Sequence, residues 1–215
     1  MQVEIWSDIV CPWCYIGKRR FETALAAFDG REEVSVRFRS FELAPERPPT
    51  VDQTLERLLA STYGVSLEQA AAMNARVSTL AAGEGLEYHL ERARPSNTFD
   101  AHRVTHLAAE AGLQEAVVER LHAGYFCEGA AIGDHAALVR LAAEVGMDPG
   151  VVQETLLSGR FADEVRADEA LARQLGIGGV PFFVIDRRYG VSGAQGADVL
   201  LDVLEQARGE LALAD

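Results

Sequence analysis

Apolar and polar residues alternate twice near the N-terminus, and each alternation predicts a strand. Val3, Ile5 and Trp6 mark the first, over residues 3–7. Val34, Val36, Phe38 and Phe41 mark the second, over residues 34–41. Between them Ile16, Phe21, Leu25 and Phe28 recur near helical spacing, and Asp29-Gly30 closes the pattern. Strand, helix and strand in this order predict a βαβ unit with parallel strands and a right-handed crossover.

Three prolines between Leu43 and Thr50 then break the pattern, and the chain beyond them reads as helix. Ser66-Leu67-Glu68-Gln69 has the form of a capping box. Asn97 or Thr98 can cap a helix carrying Val104, Leu107 and Ala108, which Gly112 ends. Asp134 caps a stretch through Leu138, Leu141 and Val145 that Gly146 ends, and Asp148-Pro149 is an N-cap with proline at the first helical position. No strand signal falls between residues 52 and 160. A further helix over 161–175 stops at Gly176. The apolar run 180–185, a turn over 186–190 and a short strand over 189–192 form a hairpin, and a helix over 197–208 closes the chain. The order β-α-β, helical block, α-β-β-α is an α/β thioredoxin fold with a large all-helical insertion. Residues 1–45 and 161–215 form the thioredoxin-like domain and residues 46–160 the insertion.

The 215 residues include 48% hydrophobic and 25% charged side chains, an ordinary globular mixture with enough chain for a full core. A net charge of −13 disfavours a polyphosphate backbone, so no nucleic-acid partner is expected. The densest cationic run, Lys18-Arg19-Arg20, reads as a solvated helix face, or as a charge source for nearby sulfurs if it points at them. The start of the sequence has no secretory signal pattern and no run is long enough to span a membrane, so the expected location is cytoplasmic. Three cysteines, Cys11, Cys14 and Cys127, are too few for a secreted disulfide framework, and a close pair in a reducing compartment is catalytic or metal-binding.

The pair sits in Cys11-Pro12-Trp13-Cys14, where a strand gives way to a helix. A sulfur at a helix N-terminus meets unpaired N–H groups and the positive end of the helix dipole, which favour a thiolate. Cys11 is therefore the expected nucleophile, and Cys14, one turn on, the thiol that resolves a mixed disulfide. Pro12 presets the turn into the helix and Trp13 shields the pair. Asp8 reads as a turn-former at the strand end, with a proton shuttle as the alternative. A zinc half-site is the rival reading, because His102 and His106 are four apart on one helix face. Structural zinc motifs, however, place their second pair within ~12–20 residues of the first, and this segment lacks the glutamate of the metalloprotease motif. No metal is expected. Val180-Pro181 opens an apolar strand, where proline is tolerated; a cis bond there would instead expose backbone groups beside the sulfurs.

These segments resemble the DsbA family of thioredoxin-fold proteins, and most of all its FrnE-like branch. The resemblance is carried by Cys11-Pro12-Trp13-Cys14-Tyr15-Ile16-Gly17-Lys18-Arg19, Phe41-Glu42-Leu43, Pro95-Ser96-Asn97-Thr98-Phe99-Asp100-Ala101-His102-Arg103, Gly178-Gly179-Val180-Pro181-Phe182-Phe183 and Tyr189-Gly190-Val191-Ser192-Gly193-Ala194-Gln195. It implies dithiol–disulfide exchange with Cys11 as nucleophile, a cis Pro181, and a helical block that roofs the cleft. Two departures stand out. Periplasmic members carry a glutamate six residues before the first cysteine, where this chain has Ile5, and some FrnE-like proteins have a further cysteine pair near the C-terminus, absent here.

Kappa-class glutathione transferases and 2-hydroxychromene-2-carboxylate isomerases are related, but place a serine near the position of Cys11. Ser96, Asn97 and Asp100 lie in a segment similar to the ligand-facing part of those enzymes; their other reading is helix capping. Three functions therefore compete. One is a cytoplasmic oxidoreductase or isomerase acting on protein or small-molecule thiols, recycled by glutathione or a thioredoxin-type partner. The second is a glutathione-dependent isomerase or transferase, and the third a redox-sensitive chaperone. No cofactor beyond the redox-active pair is expected, with glutathione as a candidate co-substrate, and apolar helix faces leave a homodimer open. Cys127 reads as a small buried apolar residue, or as a resolving or intermolecular thiol. Trp6, Phe182, Phe183 and Val184 read as core, and His89, His122 and His135 as helix surface or cap residues.

Overall fold

The computed structural model describes residues 1–212. Strand β1 (Gln2–Ser7) is central in a four-stranded sheet, followed by helix α1 (Pro12–Ala27), a 3-10 turn (Arg31–Glu33) and strand β2 (Ser35–Ser40). Strands β3 (Phe182–Ile185) and β4 (Tyr189–Ser192) form the C-terminal hairpin, and helix α9 (Ala197–Ala212) comes after it. The strand order is β2-β1-β3-β4. β1 runs parallel to β2, with Ile5 opposite Phe38, and antiparallel to β3, with Ile5 opposite Phe183.

The two-residue period of β1 divides its side chains between two layers. Val3 and Ile5 join Phe38, Phe183, Ile185 and Val191 against Phe21, Ala24 and Phe28 of α1 and Leu200 and Leu204 of α9. Trp6 faces the other way and packs with Val184, Ile177 and Ala172. Ala172 belongs to helix α8 (Ala162–Gln174).

Between β2 and α8 lie helices α2 (Leu55–Tyr63), α3 (Leu67–Gly83), α4 (Phe99–Glu110), α5 (Gln114–Glu128), α6 (His135–Ala143) and α7 (Pro149–Leu157). Their starts follow the side-chain chemistry. Ser66 and Gln69 form a reciprocal capping box, and the carboxylates of Asp134 and Asp148 accept the amides of Ala137 and Val151. At α4, Thr98 holds the cap position while the Asn97 side chain accepts the Phe99 amide. One apolar core runs from Ile9, Tyr15 and Ile16 through Val104, Leu121 and Phe126 to Leu138 and Leu141, so the helical block packs directly on the front of α1. No helix among the described residues is long and apolar enough to cross a membrane.

Two elements depart from the periodicity reading. Helix α1 begins at Pro12, a turn before the apolar period starts, because Cys11 takes an extended cap conformation and proline suits the first helical position. Helix α9 runs to Ala212, past residue 208.

Candidate active site

The sulfurs sit where β1 ends and α1 begins. The chain turns over Asp8 to Val10, with the Cys11 amide donating to the Asp8 carbonyl at 3.1 Å, and the Cys14 amide then donates to the Cys11 carbonyl at 3.0 Å. Both cysteines are free thiols and both are buried, whereas Trp13 between them is 42% exposed. The Cys11 thiol donates to the Val180 carbonyl at 3.6 Å. The Val180–Pro181 bond is cis. Gly17 lets this loop approach: a Cβ at Gly17 would stand 2.9 Å from Pro181 Cγ. On the other side Tyr88 donates its hydroxyl to the Pro12 carbonyl at 2.8 Å and stacks on Phe126. Cys11, Pro12, Trp13, Cys14, Val180 and Pro181 therefore share one place.

The two thiols differ in their surroundings. Burial pushes the Cys14 thiol well above its ordinary value, and the neighbouring Cys11 pushes it further; the Ser7 hydroxyl and the Asp8 amide act in the opposite direction. The Asp8 amide lies 3.5 Å from Cys14 Sγ. At neutral pH Cys14 is thus a protonated thiol behind Cys11.

Asp8 opens this turn and is also buried. It is 1% exposed, its carboxylate accepts the Leu43 amide at 2.8 Å, and its Oδ1 lies 3.4 Å from Nε2 of the equally buried His102. Burial pushes the His102 imidazole down, but Asp8, Glu42 and Glu169 outweigh it and hold it above its usual range. His106, one turn on, pairs instead with Asp168 at 3.1 Å. The two histidines serve separate buried carboxylates, and no group of metal-ligating side chains occurs among the described residues.

His122 is also not a surface residue. It is fully buried beneath the site, its Nε2 3.4 Å from the Asp8 carbonyl and its ring 5.0 Å from that of Tyr15. Burial, reinforced by the Lys18 charge, lowers it to about 4. An unfolded histidine titrates near ~6.5. Between that pH and about 4 the unfolded chain therefore binds more protons than the folded one, so stability must fall on acidification across this window. The span corresponds to roughly 3 kcal/mol. Urea midpoints measured from pH 7 to 4 are expected to fall, and to fall less steeply in His122→Gln; equal slopes would remove His122 from the account.

The basic run is not a solvated face either. Lys18 is 3% exposed and paired with Glu22 and Glu119, Arg19 shares both carboxylates, and Arg20 bonds Glu84 and the Ala194 carbonyl at 2.6 Å. Packing of α5 on α1 supplies Glu119, a partner the sequence pattern around Lys18 does not show. These cations are committed to carboxylates rather than to the sulfurs. None of Ser96, Asn97 and Asp100 hydrogen-bonds a cysteine. Asn97 bonds Glu42 and the Pro45 carbonyl, Asp100 holds Arg103 and His135, and the Ser96 hydroxyl is buried without a partner. Cys127 is half-buried at the end of α5 against the helical core.

Ser7, Asp8, His102, His122 and Tyr88 complete the surroundings of the pair. Of these, Ser7 and Asp8 carried a sequence signal by standing at the end of the strand that delivers Cys11, and His102 by its spacing from His106 and its place in the family-like segment; nothing in the sequence placed His122 or Tyr88 at the site.

A thioredoxin-type sheet, with a Cys-x-x-Cys at the β1–α1 junction facing a cis-proline loop, defines a thiol-redox protein. The chain belongs to the DSBA-like thioredoxin domain family, which matches residues 2–205, and is a disulfide oxidoreductase of that family. A probable DsbA oxidoreductase from Streptomyces coelicolor is 50% identical, with 98% of this chain and 91% of that one covered and a TM-score of 0.94. The uncharacterized protein YwbO of Bacillus subtilis is 28% identical over 201 residues, 93% of each chain. The cytosolic disulfide reductase DsbM from Pseudomonas aeruginosa, solved with GSH, shares the fold at 19% identity and a TM-score of 0.66, over 96% of this chain and 98% of that one.

Proposed function

We propose that the protein exchanges disulfides through the Cys11–Cys14 dithiol, with Cys11 attacking and Cys14 resolving. The observation that carries this reading is the asymmetry of the pair: Cys11 points at the Val180 carbonyl of the loop, while Cys14 is enclosed behind it with a raised pKa. The Cys11 thiolate attacks one sulfur of a substrate disulfide, forming a mixed disulfide and expelling the other half as a thiolate. Cys14, deprotonated, then attacks the Cys11 sulfur; the internal disulfide forms and the second half leaves. The backbone at Val180 and Pro181, together with the exposed Trp13 ring, receives the chain that carries the substrate sulfur. No metal or further cofactor enters these steps.

The substrates are thiols and disulfides of proteins or small molecules, in a cytoplasmic setting in which glutathione or a thioredoxin-type partner recycles the pair. Glutathione has a candidate place of its own. A cavity of about 630 Å³ is lined by Arg57, Arg92 and Arg94 and also by Asp52 and Glu91, so it offers charges of both signs to a zwitterionic peptide. Asn97 and Asp100 are held by internal partners, and the Ser96 hydroxyl is buried at the edge of this cavity.

Trapping tests the proposal. Reduced Cys14→Ser, given oxidised glutathione or a scrambled protein substrate, is expected to accumulate one covalent adduct per chain at Cys11, seen by mass spectrometry. Adding Cys11→Ser removes the adduct. An adduct at Cys127 alone would sink the assignment, and glutathione-dependent turnover undiminished in Cys14→Ser would favour the transferase or isomerase reading.

A further inference from the structure

The resolving step requires a negative charge on a sulfur that is 2% exposed. Burying an unpaired charge is costly, so some group must meet it. No nearby cation is free to do so: Lys18 pairs with Glu22 and Glu119, His102 faces the Asp8 carboxylate at 3.4 Å, and His122, lowered to about 4, is neutral. What remains is the end of β1. Val3, Ile5 and Ser7 share a face by the two-residue period, and that face packs on α1, the helix that carries Cys14. Ser7 is 4% exposed, and its hydroxyl has no firm partner while Cys14 is a neutral thiol, a weak acceptor. The next amide along the chain, that of Asp8, already points at Cys14 Sγ from 3.5 Å.

We propose that the Ser7 hydroxyl and the Asp8 amide together form the donor pair that holds the Cys14 thiolate during resolution, which makes Ser7 a catalytic residue of the second half-reaction. The inference rests on the reading of Cys14 as the resolving thiol. Once Cys14 ionises, the hydroxyl gains a charge-assisted bond that the neutral thiol cannot give it. The buried hydroxyl therefore favours the thiolate over the thiol, and the main-chain amide completes the pair without any cation. One Asp8 carboxylate oxygen accepts the Leu43 amide and the other faces His102 at 3.4 Å, so the carboxylate anchors the turn that aims the amide.

The two half-reactions separate with the aryl disulfide DTNB, with protein in excess and Cys127→Ser as the background. Cys11 attacks and releases one coloured nitrobenzoate thiolate. Cys14 then attacks the Cys11 sulfur of the mixed disulfide, the sulfur–aryl disulfide bond breaks, the second coloured thiolate leaves and the Cys14 proton passes to solvent. Ser7→Ala is expected to leave the first release at its original rate and slow the second about threefold at neutral pH. Losing one charge-assisted bond lowers the thiolate fraction by roughly tenfold, and the greater nucleophilicity of a more basic thiolate recovers about threefold of it. Ser7→Thr, which keeps the hydroxyl, restores the second rate. An unchanged second release in Ser7→Ala, or a slow one that Ser7→Thr fails to restore, overturns the proposal. A missing second release with Ser7 intact instead overturns the reading of Cys14.

Discussion

Cys11→Ser is expected to bring the reduction of insulin, with dithiothreitol as electron source, down to the uncatalysed rate while leaving the fold intact. A serine hydroxyl is not ionised near neutral pH and cannot enter a disulfide, so neither half-reaction can begin. Unfolding cannot account for the loss. Cys11 occupies the N-cap of α1 in an extended conformation with no side-chain cap bond. Serine is a preferred residue at that position and nearly the same size, so it can accept an amide of the first turn and add a few tenths of a kcal/mol or more. The thermal midpoint should therefore hold or rise as activity disappears. Residual catalysis above background in Cys11→Ser would move the nucleophile elsewhere. Cys14→Ser, by contrast, retains the first half-reaction, and the difference between the two variants reports on which sulfur leads.

Asp168→Ala is expected to destabilise the protein by about 3–5 kcal/mol, the range for breaking a buried ion pair by removing one partner. The residue is 2% exposed, and its carboxylate meets Arg39 at 2.7 Å, the Ser40 amide at 3.0 Å and His106 at 3.1 Å. Its backbone carbonyl accepts the Trp6 indole N–H at 3.0 Å. Arg39 continues the network to Glu4, and Glu4 to Arg187 at the β3–β4 turn. Asp168 thus ties α8 to the edge of the sheet and, through His106, to α4 in the helical block. Its loss leaves the Ser40 amide without an acceptor and takes one of their partners from the Arg39 guanidinium, which keeps Glu4, and from the His106 imidazole, which keeps the Ser40 hydroxyl, in a nearly dry place.

For a domain of ordinary stability, this is a large part of the total, and the thermal midpoint should drop by roughly 10 °C. Asp168→Asn, which keeps an acceptor for the Ser40 amide, should cost less. Burial acts to raise the Asp168 carboxyl, but His106, the Ser40 amide and Arg39 prevail and hold it below its ordinary value. A depressed carboxylate contributes stability above its unfolded pKa, and that contribution is lost as pH falls through the folded one. The gap between the intact protein and Asp168→Ala should therefore close below about pH 4. A difference under about 1 kcal/mol at neutral pH would mean that the network is solvated after all.

The elements and the chemistry were legible in the amino-acid order. The alternation at residues 3–7 and 34–41, the capping box at Ser66 and the Asp148-Pro149 start are local signals, and each produced its element because strands and caps are decided within a few residues. The cysteine pair was legible for the same reason: strand end, cysteine, proline and helix start are contiguous. The surroundings of the sulfurs came from tertiary packing. Val180 and Pro181 reach Cys11 from 169 residues away, across a chain reversal that only sheet pairing fixes. Asp8 reads as a turn residue until α4 places His102 against it, and His122 reads as surface until α5 packs on α1. Lys18 reads as solvated until Glu119 arrives from that same helix. A charged side chain carries no mark of its future partner, since burial of charge is a property of the pair and not of the residue. The dithiol was written in four adjacent residues; the surroundings of its two sulfurs were assembled by the fold.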